Sequence, residues 1–229
     1  MTKPVLLLHS AFTGAWEWEH VIPELTSRGV TATALDLTAR RADGSFEQDV
    51  DAVKAALKEL GEPAVLVGHS YSGAVITQAS AGNDDVAALV YVCAALPDQD
   101  ESLGGLLGRD PEPGILGNHM VPADDGTVTV SEEGARAAIY NDATEEQLAS
   151  VLGRLGPHAM STFGAPVTAL GYKEHPTTYV LTLQDKAFSP ALQRQMASHA
   201  STVVEVDAGH GPTLTKPAEV AQAIATAAS

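Results

Sequence analysis

The chain has 229 residues, of which 45% are hydrophobic and 18% are charged, and its formal net charge is −16. This balance is that of an ordinary globular protein, which excludes a disordered chain. The large negative charge argues against a nucleic-acid partner, because phosphates are bound by clustered Lys and Arg. The length suits one α/β domain with an insertion.

The amino terminus carries one lysine and a four-residue apolar run. Such a run is too short for a signal peptide or a membrane span. The single cysteine, Cys93, cannot form an internal disulfide, which fits a reducing compartment. It follows an apolar run, so we expect a buried structural thiol. We therefore expect a cytoplasmic protein without a membrane partner, either a monomer or a homodimer.

The first hundred residues alternate between strand and helix patterns. Apolar runs predict strands at 5–8, 30–35, 64–67 and 86–92, and helices are predicted at 16–28, 46–60 and 71–81. Ser45 followed by Gln48 is a capping-box pattern for the second helix. Strands that are apolar throughout and separated by helices predict a mostly parallel sheet with helices on both faces, an α/β fold.

The alternation stops at Pro97 and returns near residue 173. Between them the pattern predicts a hairpin over 119–130, with its turn at 123–126, and two short helices that begin near Ser131 and Thr144. Later elements are predicted at 178–183, 190–199, 202–206 and 217–228. We therefore predict an α/β core domain of residues 1–97 and 173–229, interrupted by a small, mainly helical cap of residues 98–172.

One turn in the core has the pattern of a catalytic serine. Ser70 follows a buried strand, precedes a helix, and is flanked at two residues' distance by Gly68 and Ser72. This strand–turn–helix context is typical of a nucleophile elbow, whose backbone is crowded and therefore requires small neighbours. The usual form has glycine where Ser72 stands. The alternative interpretation is a Gly/Ser-rich turn without catalytic function.

A serine hydroxyl is a weak nucleophile that needs a base, and the base needs an orienting group. Asp185 comes just after the predicted strand 178–183, and His210 lies in a glycine-flanked loop after the strand 202–206. The order Ser, acid, His is the one that an elbow requires. We predict that Ser70 attacks, His210 transfers the proton, and Asp185 orients the imidazole.

Two other acids compete with Asp185 for this role. Asp98 lies six residues beyond its strand, after a proline, and Asp207 lies only three residues before His210. Asp207 is better placed to brace the histidine loop than to orient the ring. Asp185 is therefore the favoured acid.

An oxyanion formed at Ser70 needs backbone N–H donors. We predict that these are Tyr71, the residue after the nucleophile, and Ala11, in the loop after the first strand. His9 is expected to pack or hydrogen-bond beneath that loop. The eight histidines show no metal-binding spacing and there is no cysteine cluster or Gly-rich phosphate loop, so we predict no metal and no cofactor.

These residues resemble the α/β-hydrolase fold from end to end. His9-Ser10-Ala11, Gly14-Ala15-Trp16, the stretch 67–71, Gln184-Asp185-Lys186 and the loop around His210 are similar to a group of plant methylesterases, hydroxynitrile lyases and small bacterial esterases. The resemblance implies a serine hydrolase that cleaves a carboxylic ester through an acyl-enzyme, without a cofactor.

Three positions separate the esterases of this group from the lyases. Esterases usually have glycine where Ser10 stands, whereas lyases carry a hydroxyl residue there. Lyases also tend to have a lysine after the triad histidine and a glutamate before the serine, where this chain has Gly211 and His69. Two of the three positions favour the esterase. A hydroxynitrile lyase-like C–C lyase and a ligand receptor on the same fold remain alternatives.

The expected partner is a small-to-medium, largely apolar ester. A lactone, thioester or amide would use the same apparatus. Residues of the first loop and the cap are candidates to line the substrate pocket, although ordinary cap packing accounts equally well for any one of them: Ser10, Phe12, Leu107, Met120, Tyr140 and Phe163.

Overall fold

The computed structural model describes residues 2–229. Six parallel strands form the central sheet: β1 (Val5–Leu8), β2 (Ala32–Leu35), β3 (Ala64–His69), β4 (Val86–Val92), β8 (Thr177–Thr182) and β9 (Thr202–Val206). Their order is β2-β1-β3-β4-β8-β9. A smaller antiparallel sheet contains β5 (Met120–Pro122), β6 (Thr127–Val130) and β7 (His158–Ala159).

The α-helices are α1 (Val21–Ser27), α2 (Phe46–Leu60), α3 (Ser72–Ser80), α4 (Leu103–Gly108), α5 (Glu132–Gly134), α6 (Glu145–Val151), α7 (Pro190–Ala197), α8 (Pro212–Thr215) and α9 (Pro217–Ala227). Short 3₁₀ turns occupy Ala15–Trp18, Thr38–Arg40, Leu116–His119, Leu152–Arg154, Met160–Gly164 and Gly171–Lys173, and Ala135–Ile139 is a π-helical turn. No helix among residues 2–229 combines the length and apolarity that a membrane crossing needs.

The two faces of the sheet bury different side chains. Because successive side chains of a strand point to opposite faces, Val5 and Leu7 join one core, whereas Leu6 and Leu8 join the other. The first core is covered by α1 and α9, and the second by α2, α3 and α7. The predicted parallel sheet with helices on both faces is confirmed.

The helix predicted over 16–28 is wrong in its first half. A 3₁₀ turn at Ala15–Trp18 is followed by a separate helix, α1, in which Pro23 occupies the first turn. Proline lacks an N–H and is tolerated only near the start of a helix, so a continuous helix could not run through residue 23. The separate turn also lets the Glu17 side chain point into the protein.

Between β4 and β8 the predicted hairpin is confirmed. β5 and β6 pair around the turn 123–126, where Gly126 has a φ of 86°. Thr144 and Gln147 form the reciprocal capping box of α6, whereas Ser45 caps α2 by accepting from the Gln48 N–H alone. β7 has two residues, too few for a sequence pattern. The division into core and cap stays a prediction.

Candidate active site

The loops at the carboxyl ends of the parallel strands hold backbone strain. Among the described residues, four non-glycine residues have positive φ, and three of them lie in the loops after β1, β3 and β4: Phe12 (68°), Ser70 (54°) and Cys93 (35°). Left-handed backbone is unfavourable for residues with a Cβ, and it concentrates at functional sites. The sharp turn predicted at Ser70 is therefore present.

The Ser70 turn requires glycine at two positions. A Cβ on Gly68 would lie 2.7 Å from the Ser72 carbonyl oxygen, and one on Gly73 would overlap the Ala95 carbonyl oxygen. Ser72 is tolerated in place of the usual glycine because its buried hydroxyl has a hydrogen-bond partner, the His9 carbonyl oxygen. The elbow is thereby hydrogen-bonded to the loop after β1. The requirement for Gly73 was not recognised from the sequence.

Ser70, His210 and Asp185 are hydrogen-bonded in series. His210 Nδ1 donates to Asp185 Oδ2 at 2.7 Å, which leaves Nε2 to accept from Ser70 Oγ at 2.8 Å. All three side chains are buried. The structure thus brings together the three residues for which the strand order predicts the roles of nucleophile, base and acid.

The two alternative acids lie elsewhere. The exposed Asp98 accepts from the Tyr172 hydroxyl, and Asp207 accepts from Gln184 Nε2 at 2.6 Å, as expected of a residue that braces its loop. Neither carboxylate has a hydrogen bond to His210.

Five donors surround the Asp185 carboxylate. Oδ1 accepts from the N–H groups of Ala187 and Phe188, at 2.8 and 2.9 Å. Oδ2 accepts from the Thr182 hydroxyl, from Gln193 Nε2 and from His210. These donors fix the carboxylate in one orientation. Thr182 and Gln193 are site residues that the sequence analysis missed, because neither belongs to a recognisable motif.

The charge of Asp185 changes the basicity of His210. Burial alone would lower the pKa of His210, but the Asp185 carboxylate at 2.7 Å favours the imidazolium and raises that pKa above its usual value. An imidazole with this partner is a stronger base. It also stays protonated to a higher pH.

The two predicted oxyanion donors have no acceptor. Ala11 and Tyr71 are buried, and no residue from 2 to 229 accepts a hydrogen bond from either backbone N–H. Buried N–H groups are normally paired, so two unpaired ones beside the same hydroxyl-bearing turn are unusual. They provide a place where a negatively charged oxygen would be stabilised.

A second buried hydrogen-bond network joins Ser10, Glu17 and His69, the residue before Ser70. Ser10 Oγ donates to Glu17 Oε1 at 2.7 Å, and Glu17 also accepts from His69 Nδ1 at 2.9 Å. The Ser10 hydroxyl is thus held by a buried carboxylate, and the place of Ser10 in the substrate pocket stays a prediction. His9 lies beneath the same loop and accepts from the Leu37 N–H, as expected.

The other predicted pocket residues fall into three groups. Phe12 and Phe163 pack edge-to-face near the Tyr71 ring, and Tyr140 contacts Gly211 beside His210. Met120 is half-buried against the core. Leu107 is 36% exposed at the surface, so its assignment to the pocket is not supported. The half of α4 that faces inward presents Leu103 and Leu106 instead.

One group of metal-ligand atoms occurs among the described residues. His69, Cys93 and His210 have ligand atoms within 4.8 Å of one another, and all three are buried. Both ring nitrogens of each histidine already have hydrogen-bond partners. The Cys93 thiol donates to the His210 carbonyl oxygen at 3.5 Å. This cysteine is therefore buried, as predicted, but it also belongs to the surroundings of the site.

Comparison with known proteins yields a consistent set of relatives. A family model described as "Alpha/beta hydrolase family" matches residues 5–223. The chain is 30% identical to the (S)-hydroxynitrile lyase of Manihot esculenta, covering 96% of this chain and 95% of the lyase. It is 27% identical to methylesterase 9 of Arabidopsis thaliana, covering 95% of each. The crystal structure of a pyrethroid hydrolase from Sphingobium faniae JZ-2 superposes with a TM-score of 0.87 at 26% identity, covering 100% of this chain and 98% of that one.

Proposed function

Because this chain belongs to the alpha/beta hydrolase family, we propose that it is a serine hydrolase that cleaves a small-to-medium, largely apolar carboxylic ester through an acyl-enzyme. The observation that carries this proposal is the unbroken hydrogen-bond series Ser70–His210–Asp185 beside two unpaired backbone N–H groups. The series supplies a nucleophile and a base, and the N–H groups supply an oxyanion site.

Acylation begins with attack by Ser70 Oγ on the ester carbonyl carbon. The hydroxyl proton moves to His210 Nε2, which is 2.8 Å away, and Asp185 stabilises the imidazolium that forms. The carbonyl oxygen becomes an oxyanion that accepts from the N–H groups of Ala11 and Tyr71. Collapse of this intermediate breaks the C–O bond to the alcohol, and His210 donates its proton to the departing alkoxide.

Deacylation repeats these steps with water. His210, neutral again, takes a proton from a water molecule, whose oxygen attacks the acyl carbon of the Ser70 ester. The second tetrahedral intermediate collapses, the carboxylic acid leaves, and His210 returns the proton to Ser70 Oγ. The aromatic side chains of Phe12, Phe163 and Tyr140 around the site favour an apolar substrate.

Hydrolysis is favoured over cyanohydrin cleavage by the state of Ser10. In this chain the Ser10 hydroxyl is already bonded to Glu17, so it is not free to contact a substrate hydroxyl. The residue after the triad histidine is Gly211, which offers no cation for a departing cyanide. A lyase would instead release cyanide from mandelonitrile and leave p-nitrophenyl esters intact.

The test is the Ser70→Ala variant. Loss of the nucleophile costs on the order of 10⁶ in kcat in serine hydrolases. We expect the variant to lose turnover of p-nitrophenyl esters and labelling by a fluorophosphonate, while its circular dichroism matches the parent. Unchanged hydrolysis by the variant would refute the assignment. Cyanide release by the parent without ester turnover would select the lyase, and binding without either reaction would select a receptor.

A further inference from the structure

Glu17 and His69 form a buried acid–base pair outside the catalytic series. Glu17 lies in the 3₁₀ turn after the β1 loop, and His69 is the last residue of β3. Their side chains are 3% and 0% exposed, and Glu17 Oε1 lies 2.9 Å from His69 Nδ1. The proton transfers proposed above use neither residue.

The hydrogen-bond partners define where the protons are. His69 Nε2 lies 2.7 Å from the His210 carbonyl oxygen, which can only accept, so Nε2 carries a proton. His69 Nδ1 faces a carboxylate that also accepts from the Ser10 N–H at 2.8 Å and from the Ser10 hydroxyl. An ionised Glu17 satisfies all of these donors at once. The arrangement therefore fits a carboxylate and an imidazolium that donates from both nitrogens.

The direction of the pKa shifts agrees with this geometry. Burial alone would raise the pKa of Glu17 and lower that of His69. The charge of His69 and the hydrogen bonds from His69 and Ser10 outweigh burial and lower the pKa of Glu17. Glu17 and the neighbouring Cys93 together outweigh burial and raise the pKa of His69 well above its usual value. Both groups are thus charged at neutral pH.

Other titratable groups surround the pair. His9, on the adjoining strand end, has its pKa lowered by burial and accepts from the Leu37 N–H, so it is neutral. Cys93 donates to the same carbonyl oxygen as His69. The His210 ring is centred 5.2 Å from the His69 ring, and Tyr140 adds a buried phenol whose pKa is raised by burial.

The pair contacts three of the four loops that carry the proposed catalytic groups, all except the Asp185 loop. Glu17 holds Ser10, the residue before the oxyanion donor Ala11. His69 directly precedes Ser70, and it holds the backbone of His210. A small displacement of any of these loops would change the distance between the hydroxyl, the base and the oxyanion donors.

We propose that Glu17 and His69 are positioning residues whose buried ion pair aligns the His210 loop and the oxyanion loop with Ser70. This inference rests on the proposed hydrolase function. It assigns Ser10 a structural role, because the hydroxyl is kept on Glu17. It also explains why a buried charge pair, which is costly to desolvate, occupies this position.

The first measurement reads the protonation of His69 in the parent protein and uses one variant only to assign its signals. In ¹⁵N-histidine-labelled protein, the ring nitrogens of His69, identified by their absence from the His69→Asn spectrum, should both be protonated from about pH 6 to pH 8. A His69 with one bare nitrogen across this range would overturn the proposal. This readout is independent of activity, so it stands even if the proposed hydrolase function fails and the parent protein shows neither ester turnover nor fluorophosphonate labelling.

The second measurement removes the charge and keeps the shape. In Glu17→Gln the amide can still bond Ser10 and His69, but His69 becomes neutral. We expect a loss of about 10-fold in kcat with KM within about twofold, and about 10²-fold for Glu17→Ala, which removes the hydrogen bonds as well. In the ¹⁵N spectrum of Glu17→Gln, His69 should lose one ring proton.

Glu19→Gln is the matched control, since Glu19 lies two residues further on and pairs with Arg154 at the surface. Its kcat should stay within about twofold of the parent. If Glu17→Gln makes His69 neutral and leaves kcat at the parent value, the ion pair does not position the site and the proposal is wrong. A folded Glu17→Ala with parental kcat leads to the same conclusion.

Discussion

The acid end and the oxyanion end of this site differ in how fully their polar groups are paired. Asp185 accepts from five donors, whereas the N–H groups of Ala11 and Tyr71 have no acceptor among the described residues. The Asp185 carboxylate keeps the same charge throughout the proposed reaction, so all of its hydrogen bonds can form when the protein folds. The oxyanion exists only transiently, and donors that were already paired could not stabilise it without first breaking bonds.

The largest effect is expected at the acid end, from the variant Asp185→Asn. The amide keeps the size of the side chain. If its NH₂ group faces His210 Nδ1, that nitrogen must accept, and the proton of the neutral ring then lies on Nε2. In this tautomer His210 Nε2 cannot accept from the Ser70 hydroxyl. We expect kcat to fall by about 10⁴-fold with KM little changed. Steady-state kinetics on a p-nitrophenyl ester measures this.

The matched control is Asp207→Asn, in the loop that holds His210. Its kcat should remain within a few-fold of the parent, because the amide oxygen can still accept from Gln184. Equal losses in both variants would mean that the acid has been misassigned and that the five donors around Asp185 serve only to stabilise the loop.

The oxyanion end is tested by removing the backbone N–H of Ala11. Replacing Ala11 by lactic acid exchanges the amide for an ester and leaves the methyl side chain in place. Because the N–H has no acceptor in the resting protein, the exchange should leave the melting temperature close to that of the parent. Loss of one oxyanion donor should lower kcat by about 10²- to 10³-fold. Parental kcat in the exchanged protein would exclude Ala11 as a donor.

The smallest expected effect is a shift of the pH profile. The base must be neutral to accept from Ser70, and Asp185 raises the pKa of His210 above its usual value. Activity should therefore be lost on the acid side, with kcat/KM falling about tenfold per pH unit below an apparent pKa higher than about 6.5. An acid limb centred below that value would show that burial of His210 outweighs the charge of Asp185.

The turn at Ser70 could be predicted from residues that are adjacent in the sequence. Gly68, Ser70 and the preceding apolar run were sufficient to predict the turn, because strain in a short segment is relieved only by small residues close in sequence. Asp185 and His210 were predicted for a different reason: parallel strands end at the same edge of a sheet, so the residues that follow β8 and β9 must approach those that follow β3.

The sequence by itself therefore determined the parallel sheet, the elbow and the order of the three residues that the sheet brings together. Only the tertiary structure decided the state of Ser10, the positions of Glu17 and His69, and the five donors around Asp185. Those contacts join side chains from separate loops. Their geometry depends on how the loops pack, which no periodic pattern or short motif encodes. The hydrogen bonds between Ser10, Glu17 and His69 join residues that are 7 and 52 positions apart in the chain. Through them the Ser10 hydroxyl, at a position where lyases also carry a hydroxyl residue, becomes part of the buried network beside the site.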